Sequence, residues 1–397
     1  MDEERKSARW RKRRIIYNND GQDVIEARTG KEHRHDIQWQ MSVRSGGVLI
    51  DDFLNARSND LVRTQVDSNW YCTCRGGLNF SHRTKLGGFY GKGIGEDLIA
   101  KYGRDSLQVQ VDFSNEHDME VFWSLRMNDG HDSYPMGYRH QHDHDLALFK
   151  REHPEYLMGE PEDWEKYSDG LRRSWSHLDF KYPEVREHIF ALIQEVSQNY
   201  DVDGVEMDFF RTPLYFTPTL DGVPVEEQHV KMMTELVRRV RNMADEMGRQ
   251  RGRPLLLAAR MPFTDKDARF IGLDLEKWLA EGLIDILIPG GGTESKMTES
   301  FKDIIDLGHK YDVPVYPCVD YNFWSYWAFL DLGAEEHRTF SSWVKTLYGG
   351  HPKDIDKQCW IEAFNSWEGT AETWRGATTN LWNAGADGIY IFNGFHS

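Results

Sequence analysis

The segment Asp203-Gly204-Val205-Glu206-Met207-Asp208-Phe209-Phe210-Arg211 places two carboxylates two residues apart inside an apolar run. Side chains alternate along a strand, so Glu206 and Asp208 share one face while Val205, Met207 and Phe209 share the other. In a closed barrel the outer face lies under helices, where an unpaired carboxylate is strongly disfavoured. Glu206 and Asp208 are therefore expected to point into the barrel, with Asp208 nearer the top. Glycoside hydrolysis uses such groups: one carboxyl protonates the leaving oxygen and the other attacks or activates water. Asp208 is the candidate for the ionised partner, because Arg126 or Arg260 nearby would hold its negative charge. Glu206, one layer deeper, is expected to orient Asp208 or hold an arginine. A buried ion-pair network with arginine is the rival reading for both.

The proton donor must come from another strand end. Asp129 and Asp320 are the leading candidates, with His131 and Glu294 behind them. The third apolar run ends Leu125-Arg126-Met127-Asn128-Asp129-Gly130-His131-Asp132, with Arg126 and Asn128 on one face. Asn18 and Asp20 end the first strand, Arg260 the fifth, Asp320 the seventh and Asn393 the eighth. So many charged or amide side chains on one rim read as a polar ligand site. Asn18, Asp20, Arg126, Asn128, His131, Arg260 and Asn393 are the candidate substrate-binding residues. Trp70 on the second strand is the candidate platform for a sugar ring. Trp324, Trp327, Trp360 and Trp367 form either further platforms or a small aromatic core. Pro289-Gly290-Gly291-Gly292 reads as a tight turn or a close backbone approach to ligand.

His140-Gln141-His142-Asp143-His144-Asp145 carries the chemistry of a metal site, since His140, His142 and His144 would face one way in an extended segment. A solvated, metal-free loop is the favoured alternative, and no cofactor is expected. H-E-x-x-H, the Walker A loop and the G-x-S-x-G elbow are absent from the sequence.

These residues need a frame. Strands are expected at 14–20, 64–73, 119–125, 205–210, 255–259, 284–288, 313–319 and 389–392. Helical patterns fall at 48–61, 95–117, 182–200, 226–250, 275–283, 301–311 and 370–384. This alternation predicts an α/β chain forming one (β/α)8 TIM barrel over residues 1–397, with long insertions at about 21–46, 126–181 and 320–369. All three insertions leave the carboxyl ends of strands, where barrel enzymes build their sites. No strand leads into G-x-G-x-x-G, so the doubly wound dinucleotide-binding alternative has no support. The chain ends just after the eighth strand, which predicts that the closing eighth helix is absent and that the sequence is a fragment. Residues 1–13 make a poor substitute, with only Ala8 and Trp10 apolar.

Across 397 residues, 65 Asp and Glu outnumber 48 Lys and Arg, for a net charge of −17. That balance argues against nucleic acid and anionic membranes as partners. No apolar run approaches the ~18 residues of a membrane span. The 14 Trp, 17 Tyr and 20 Phe imply a large packed core. Cys72, Cys74, Cys318 and Cys359 match neither a disulfide framework nor a zinc site. With no apolar stretch after the charged N-terminus, no signal peptide is visible and a cytoplasmic location is expected. A seam beside strands one and eight would favour a homo-oligomer if residues 1–13 leave it open.

Four runs together resemble a known family: Arg13–Gly21, Glu120–Asp129, Tyr200–Arg211 and Gly385–Asn393. They are similar to bacterial family 10 glycosylhydrolases, also called glycosyl-hydrolase-like proteins, over about residues 13–395. The resemblance implies a (β/α)8 barrel and action on carbohydrate. The block around Asp208 also resembles the D-G-x-D-x-D-x-E strand of chitinase-type barrels. Asp203, Gly204 and Asp208 match it, Glu206 replaces an Asp, and Phe210 stands where that pattern has its catalytic Glu. That mechanism is therefore not carried over. A metal-dependent sugar isomerase or hydrolase and a non-catalytic carbohydrate-binding barrel remain the alternatives.

Overall fold

The computed structural model describes residues 2–21, 23–26, 50–89, 94–132, 146–165, 174–262, 264–290, 299–320 and 371–392. Eight parallel strands form the centre: β1 (Ile15–Asn19), β2 (Val66–Cys72), β3 (Glu120–Arg126), β4 (Gly204–Asp208), β5 (Leu256–Met261), β6 (Ile286–Pro289), β7 (Cys318–Asp320) and β8 (Ile389–Phe392). Continuous ladders run from β7 through β8 and β1 to β6. The remaining seam is stitched by a parallel bridge between Leu287 and Val315. There Leu287 donates to the Pro314 carbonyl at 3.1 Å and Tyr316 donates to the Leu287 carbonyl at 2.9 Å. The barrel is thus nearly closed, as the alternation predicted. The seam is thin because Pro314 and Pro317 carry no N–H for a ladder. For the same reason β7 is three residues long rather than the expected 313–319.

Around the strands lie α1 (Asp2–Arg9), α2 (Ile50–Arg57), α3 (Ile94–Tyr102), α4 (Ser106–Glu116), α5 (Pro183–Asn199), α6 (Glu227–Arg251), α7 (Leu275–Ala280), α8 (Glu299–Lys310) and α9 (Ala371–Asn383). The single helix expected at 95–117 is two. Gly103 takes a left-handed φ of +70°, and Asp105 caps the second helix by accepting from the Gln108 N–H at 3.0 Å. Outward side chains such as Val121, Trp123, Val205, Met207 and Leu257 join the helices in the main core. Inward ones, among them Ile16, Trp70, Phe122, Leu256 and Tyr390, fill the barrel itself.

One device recurs at the base of the barrel. Asp203, Asp285 and Asp387 each precede a strand, and each clasps the strand beside it in both directions. Their N–H groups donate to Val121, Leu257 and Val315 at 2.8, 2.7 and 3.1 Å. Their carboxylates accept from the N–H groups of the same three residues at 2.9, 2.9 and 2.8 Å. Below this ring runs α1. Arg5 reaches Asp285 at 2.7 Å and Trp10 reaches Asp312 at 3.1 Å, while Ala8 packs on the barrel interior. The N-terminal helix therefore sits under the floor of the barrel rather than beside β8. Its polar composition suits this place, because arginines rather than apolar side chains make the contacts. Just after it, Arg13 forks onto Glu120 with both bonds at 2.6 Å, buried under the barrel's packing.

Candidate functional site

The register sets the site. Arg126, Asp208 and Arg260 stand in line at the carboxyl ends of β3, β4 and β5. One layer below, Ser124, Glu206 and Ala258 are in line, and below them Phe122, Gly204 and Leu256. Glu206 and Asp208 both face inward with Asp208 on top, as alternation along the strand requires.

Asp208 is almost fully buried and surrounded by donors. Its Oδ1 accepts from Arg260 Nη1 and from the backbone N–H groups of Phe210 and Arg211, all at 2.9 Å. Its Oδ2 takes one contact among the described residues, Arg260 Nη1 at 3.1 Å. Three donors thus lock one oxygen, while the other keeps lone-pair capacity. Arg260 is itself held flat, its guanidinium 3.6 Å from the centre of the Phe392 ring.

Glu206 lies wholly out of solvent. Tyr390 Oη donates to its Oε1 at 2.6 Å, and Asn18 Nδ2 to its Oε2 at 3.2 Å. Burial, reinforced by the charge on Asp208, pushes its carboxyl up to about 7.

Asp129 sits just beyond β3. Its Oδ1 meets His131 Nδ1 in a short hydrogen bond, and its Oδ2 is 3.5 Å from Arg126 Nη1. Burial alone would raise its carboxyl, but His131, Arg126 and Arg211 together hold it well below the ordinary range. A group held so firmly as a carboxylate makes a poor acid, which counts against the expectation that Asp129 donates the proton. His131 Nε2 in turn lies 3.2 Å from Arg211 Nη2. Arg57 pairs with Asp20, and Lys150 spans the Asp129 carbonyl at 2.7 Å and Asp132 at 3.0 Å.

Two expected substrate contacts are built into the framework instead. Trp70 is sealed inside the barrel, stacked on Phe122 with centroids 4.4 Å apart and donating to Ser68 at 2.7 Å. It has no face left for a sugar. The amide of Asn128 ties two loops together: it donates to the carbonyls of Leu178 and Leu214 at 2.8 and 2.6 Å and accepts from the Leu178 N–H at 3.0 Å. Asn18 reaches Glu206 from below rather than the rim. β7 brings Asp320 into register with Phe392 at the mouth. The side chain of Asp320, together with Asn393, Glu294, the four late tryptophans and the His140–His144 loop, lies outside the described residues. Among the described residues no cluster of three or more His, Cys, Asp or Glu could hold a metal. No described helix is long and apolar enough to cross a membrane. Sequence reasoning missed Arg57, Lys150, Arg211 and Tyr390 as partners of the rim. Of these, Tyr390 was open to detection, since it alternates with Phe392 onto the inner face.

Residues 90–228 match the family described as glycosyl hydrolase-like 10. The match covers β3 and β4 with the loop between them and bears out the resemblance read from the sequence. In general terms it supports a carbohydrate-active hydrolase. No curated relative matches the sequence. Among solved structures, the PgaB (BpsB) glycoside hydrolase domain from Bordetella bronchiseptica is 9% identical, with 96% of this chain and 93% of that one covered and a TM-score of 0.46. The alpha-L-fucosidase isoenzyme 2 from Paenibacillus thiaminolyticus is 11% identical, with 78% and 40% covered and a TM-score of 0.47. A glycoside hydrolase family 18 N-acetylglucosaminidase from Paenibacillus barengoltzii is 12% identical, with 64% of this chain covered and a TM-score of 0.34. The chain spans 62% of the length of that last enzyme.

Proposed function

We propose that this chain hydrolyses glycosidic bonds of an oligo- or polysaccharide at the carboxyl-terminal mouth of its barrel, with Asp208 as the charged carboxylate facing the sugar. One observation carries this reading: Asp208 stands between Arg126 and Arg260 in a single register line, with its Oδ2 less encumbered than its Oδ1. Such an anion is fixed in place before the substrate arrives, which lets it stabilise positive charge developing at an anomeric carbon without reorganising. Arg126, Arg260, Asp20 and His131 furnish donors and acceptors for hydroxyl groups around it. Glu206 lies beneath Asp208, held by Tyr390 and Asn18, and supports it from below rather than contacting the sugar.

A panel of glycans with product detection, run with and without a chelator, tests the reading. Asp208→Asn is expected to lower turnover by about a hundredfold or more. Near-wild-type turnover by this variant would refute the assignment. A second reading is a barrel that binds carbohydrate without cleaving it. Phe210 favours it, because this position carries the acid in the chitinase-type pattern. That reading predicts saturable glycan binding, no product, and unchanged binding after Asp208→Asn. Product formation that fails with chelator and returns with Mn²⁺ or Zn²⁺ would favour the metal-dependent alternative instead.

A further inference from the structure

The hydrolase reading leaves the acid unassigned among the described residues. Asp129 is locked as a carboxylate, and Glu206 is sealed beneath Asp208. Two residues beyond Asp129, and hydrogen-bonded to it, lies an imidazole. We infer that His131, held by Asp129, is the proton donor to the leaving-group oxygen; this rests on the hydrolase reading above.

The geometry is that of an acid supported from behind. The Asp129 carboxylate is fully buried, whereas the His131 side chain is 23% exposed. Binding Nδ1 to Asp129 fixes the ring and turns Nε2 away from the core. Nε2 then lies beside Arg211, whose backbone N–H holds Asp208 Oδ1 at 2.9 Å. One residue therefore links the imidazole to the carboxylate proposed to face the sugar.

The charges around the ring act in opposite senses. Asp129 touches it and favours the imidazolium. Arg211 touches it from the far side and opposes. Arg126 and Lys150 oppose from behind Asp129, while Asp132 and Asp208 lie further off and favour the charged form. The thiols of Cys72 and Cys74, both pushed up by burial, stay neutral. These opposed pulls suit a group that must gain and lose a proton in each turnover.

In the step itself, the proton on Nε2 passes to the glycosidic oxygen as the C1–O bond breaks, and that oxygen keeps the bonding pair. A water molecule adds to C1 and gives its proton to Asp208. Solvent then returns a proton from Asp208 to His131, so the balance is one water consumed per bond cleaved. Arg211 Nη2, which donates to Nε2 at 3.2 Å in this structure, must leave Nε2 before the imidazolium can form.

The test pairs a kinetic with a spectroscopic readout. On substrates with poor leaving groups, His131→Ala is expected to lose about a thousandfold in kcat/KM. On 2,4-dinitrophenyl glycosides, which need no protonation, it should lose less than about tenfold. Asp208→Asn should fail on both. By NMR, the His131 titration midpoint is expected to fall by about one unit in Asp129→Asn and to rise by a similar amount in Arg211→Met. Arg211→Met keeps the backbone bond to Asp208, so the readout survives if Asp129→Asn does not fold.

Equal losses on both leaving groups, or midpoints that stay put, overturn the inference. So does a leaving-group-selective loss produced by Asp320→Asn rather than His131→Ala. If Asp208→Asn is inactive while His131→Ala is unaffected, only the inference fails. A wild-type protein that turns over no glycoside at all removes the hydrolase reading with it.

Discussion

Glu206→Gln should abolish a pH dependence of stability that the buried carboxyl imposes. In the folded protein this carboxyl titrates at about 7 against an ordinary 4.5. A group whose folded-state value is raised gives its full stabilisation below the unfolded value and loses it as pH rises through the folded one. The window therefore runs from roughly pH 4.5 to pH 7, with stability falling as pH climbs. At ~1.36 kcal/mol per unit the gap amounts to about 3 kcal/mol, an upper bound because Asp208 shares the same pocket of charge. A glutamine in this place can keep the 2.6 Å bond from Tyr390 Oη through its carbonyl oxygen. The new amide nitrogen would face Asn18, whose Oδ1 has no hydrogen-bond partner among the described residues, so the Asn18 amide can turn over to accept. The substitution is thus expected to be tolerated.

Denaturant melts of the wild type and Glu206→Gln at pH 5 and pH 8 measure the effect. Titrating groups remote from the β4 pair are common to both proteins and drop out of the difference. The wild type should lose about 2–3 kcal/mol more than the variant between the two pH values. Parallel behaviour, within about 0.5 kcal/mol, would mean that the Glu206 carboxyl is not raised in the folded state and would refute the reasoning.

Three further outcomes follow from the packing. Arg13→Met should cost about 3–5 kcal/mol by stranding Glu120 in the floor of the barrel, and Arg13→Met with Glu120→Gln should recover part of that loss; chemical denaturation reads both. Gly204→Ala should destabilise by more than about 2 kcal/mol, because a Cβ there would lie 2.2 Å from the Phe122 ring and 2.7 Å from the Leu256 carbonyl. Trp70→Leu should cost about 3 kcal/mol in thermal or denaturant unfolding yet leave KM unchanged, since the ring packs inside the barrel and is not offered to a ligand.

The barrel was legible because each strand is a short apolar run and each long helix an amphipathic one. Residue placement was harder. Proline content shortened β7, which hydropathy alone does not weigh. The inward pair Glu206 and Asp208 followed from the two-residue period of a strand. Asn128 defeated the same logic because β3 ends at Arg126, and past a strand end alternation no longer decides direction. Trp70 reads as a sugar platform on the second strand, but it faces into the barrel at a depth that strand period, which gives a side and not a height, does not reveal. Of the partners that tune the site, Arg57 and Lys150 come from helices remote in the chain, and no local spacing connects them to it, whereas Tyr390 alternates with Phe392 and Arg211 follows Asp208 by three residues.

The D-G-V-E-M-D run serves two purposes, and separating them shows what the family likeness carries. Asp203 clasps Val121, and Gly204 makes room for Phe122. Asp387 and Gly388 do the same at the eighth strand. Asp387 clasps Val315, and a Cβ on Gly388 would come 2.0 Å from the Arg13 carbonyl. Asp-Gly before a barrel strand is therefore a device for starting a strand on a crowded floor, wherever it occurs. It identifies the architecture and is silent on catalysis. Only the later positions, Glu206, Asp208 and what stands at 210, bear on chemistry. There the chain departs from the chitinase-type pattern at two of three places. Any hydrolysis it performs must draw its acid from outside this strand, and beside the strand's end the structure brings Arg211 against the Asp129–His131 pair of the loop after β3.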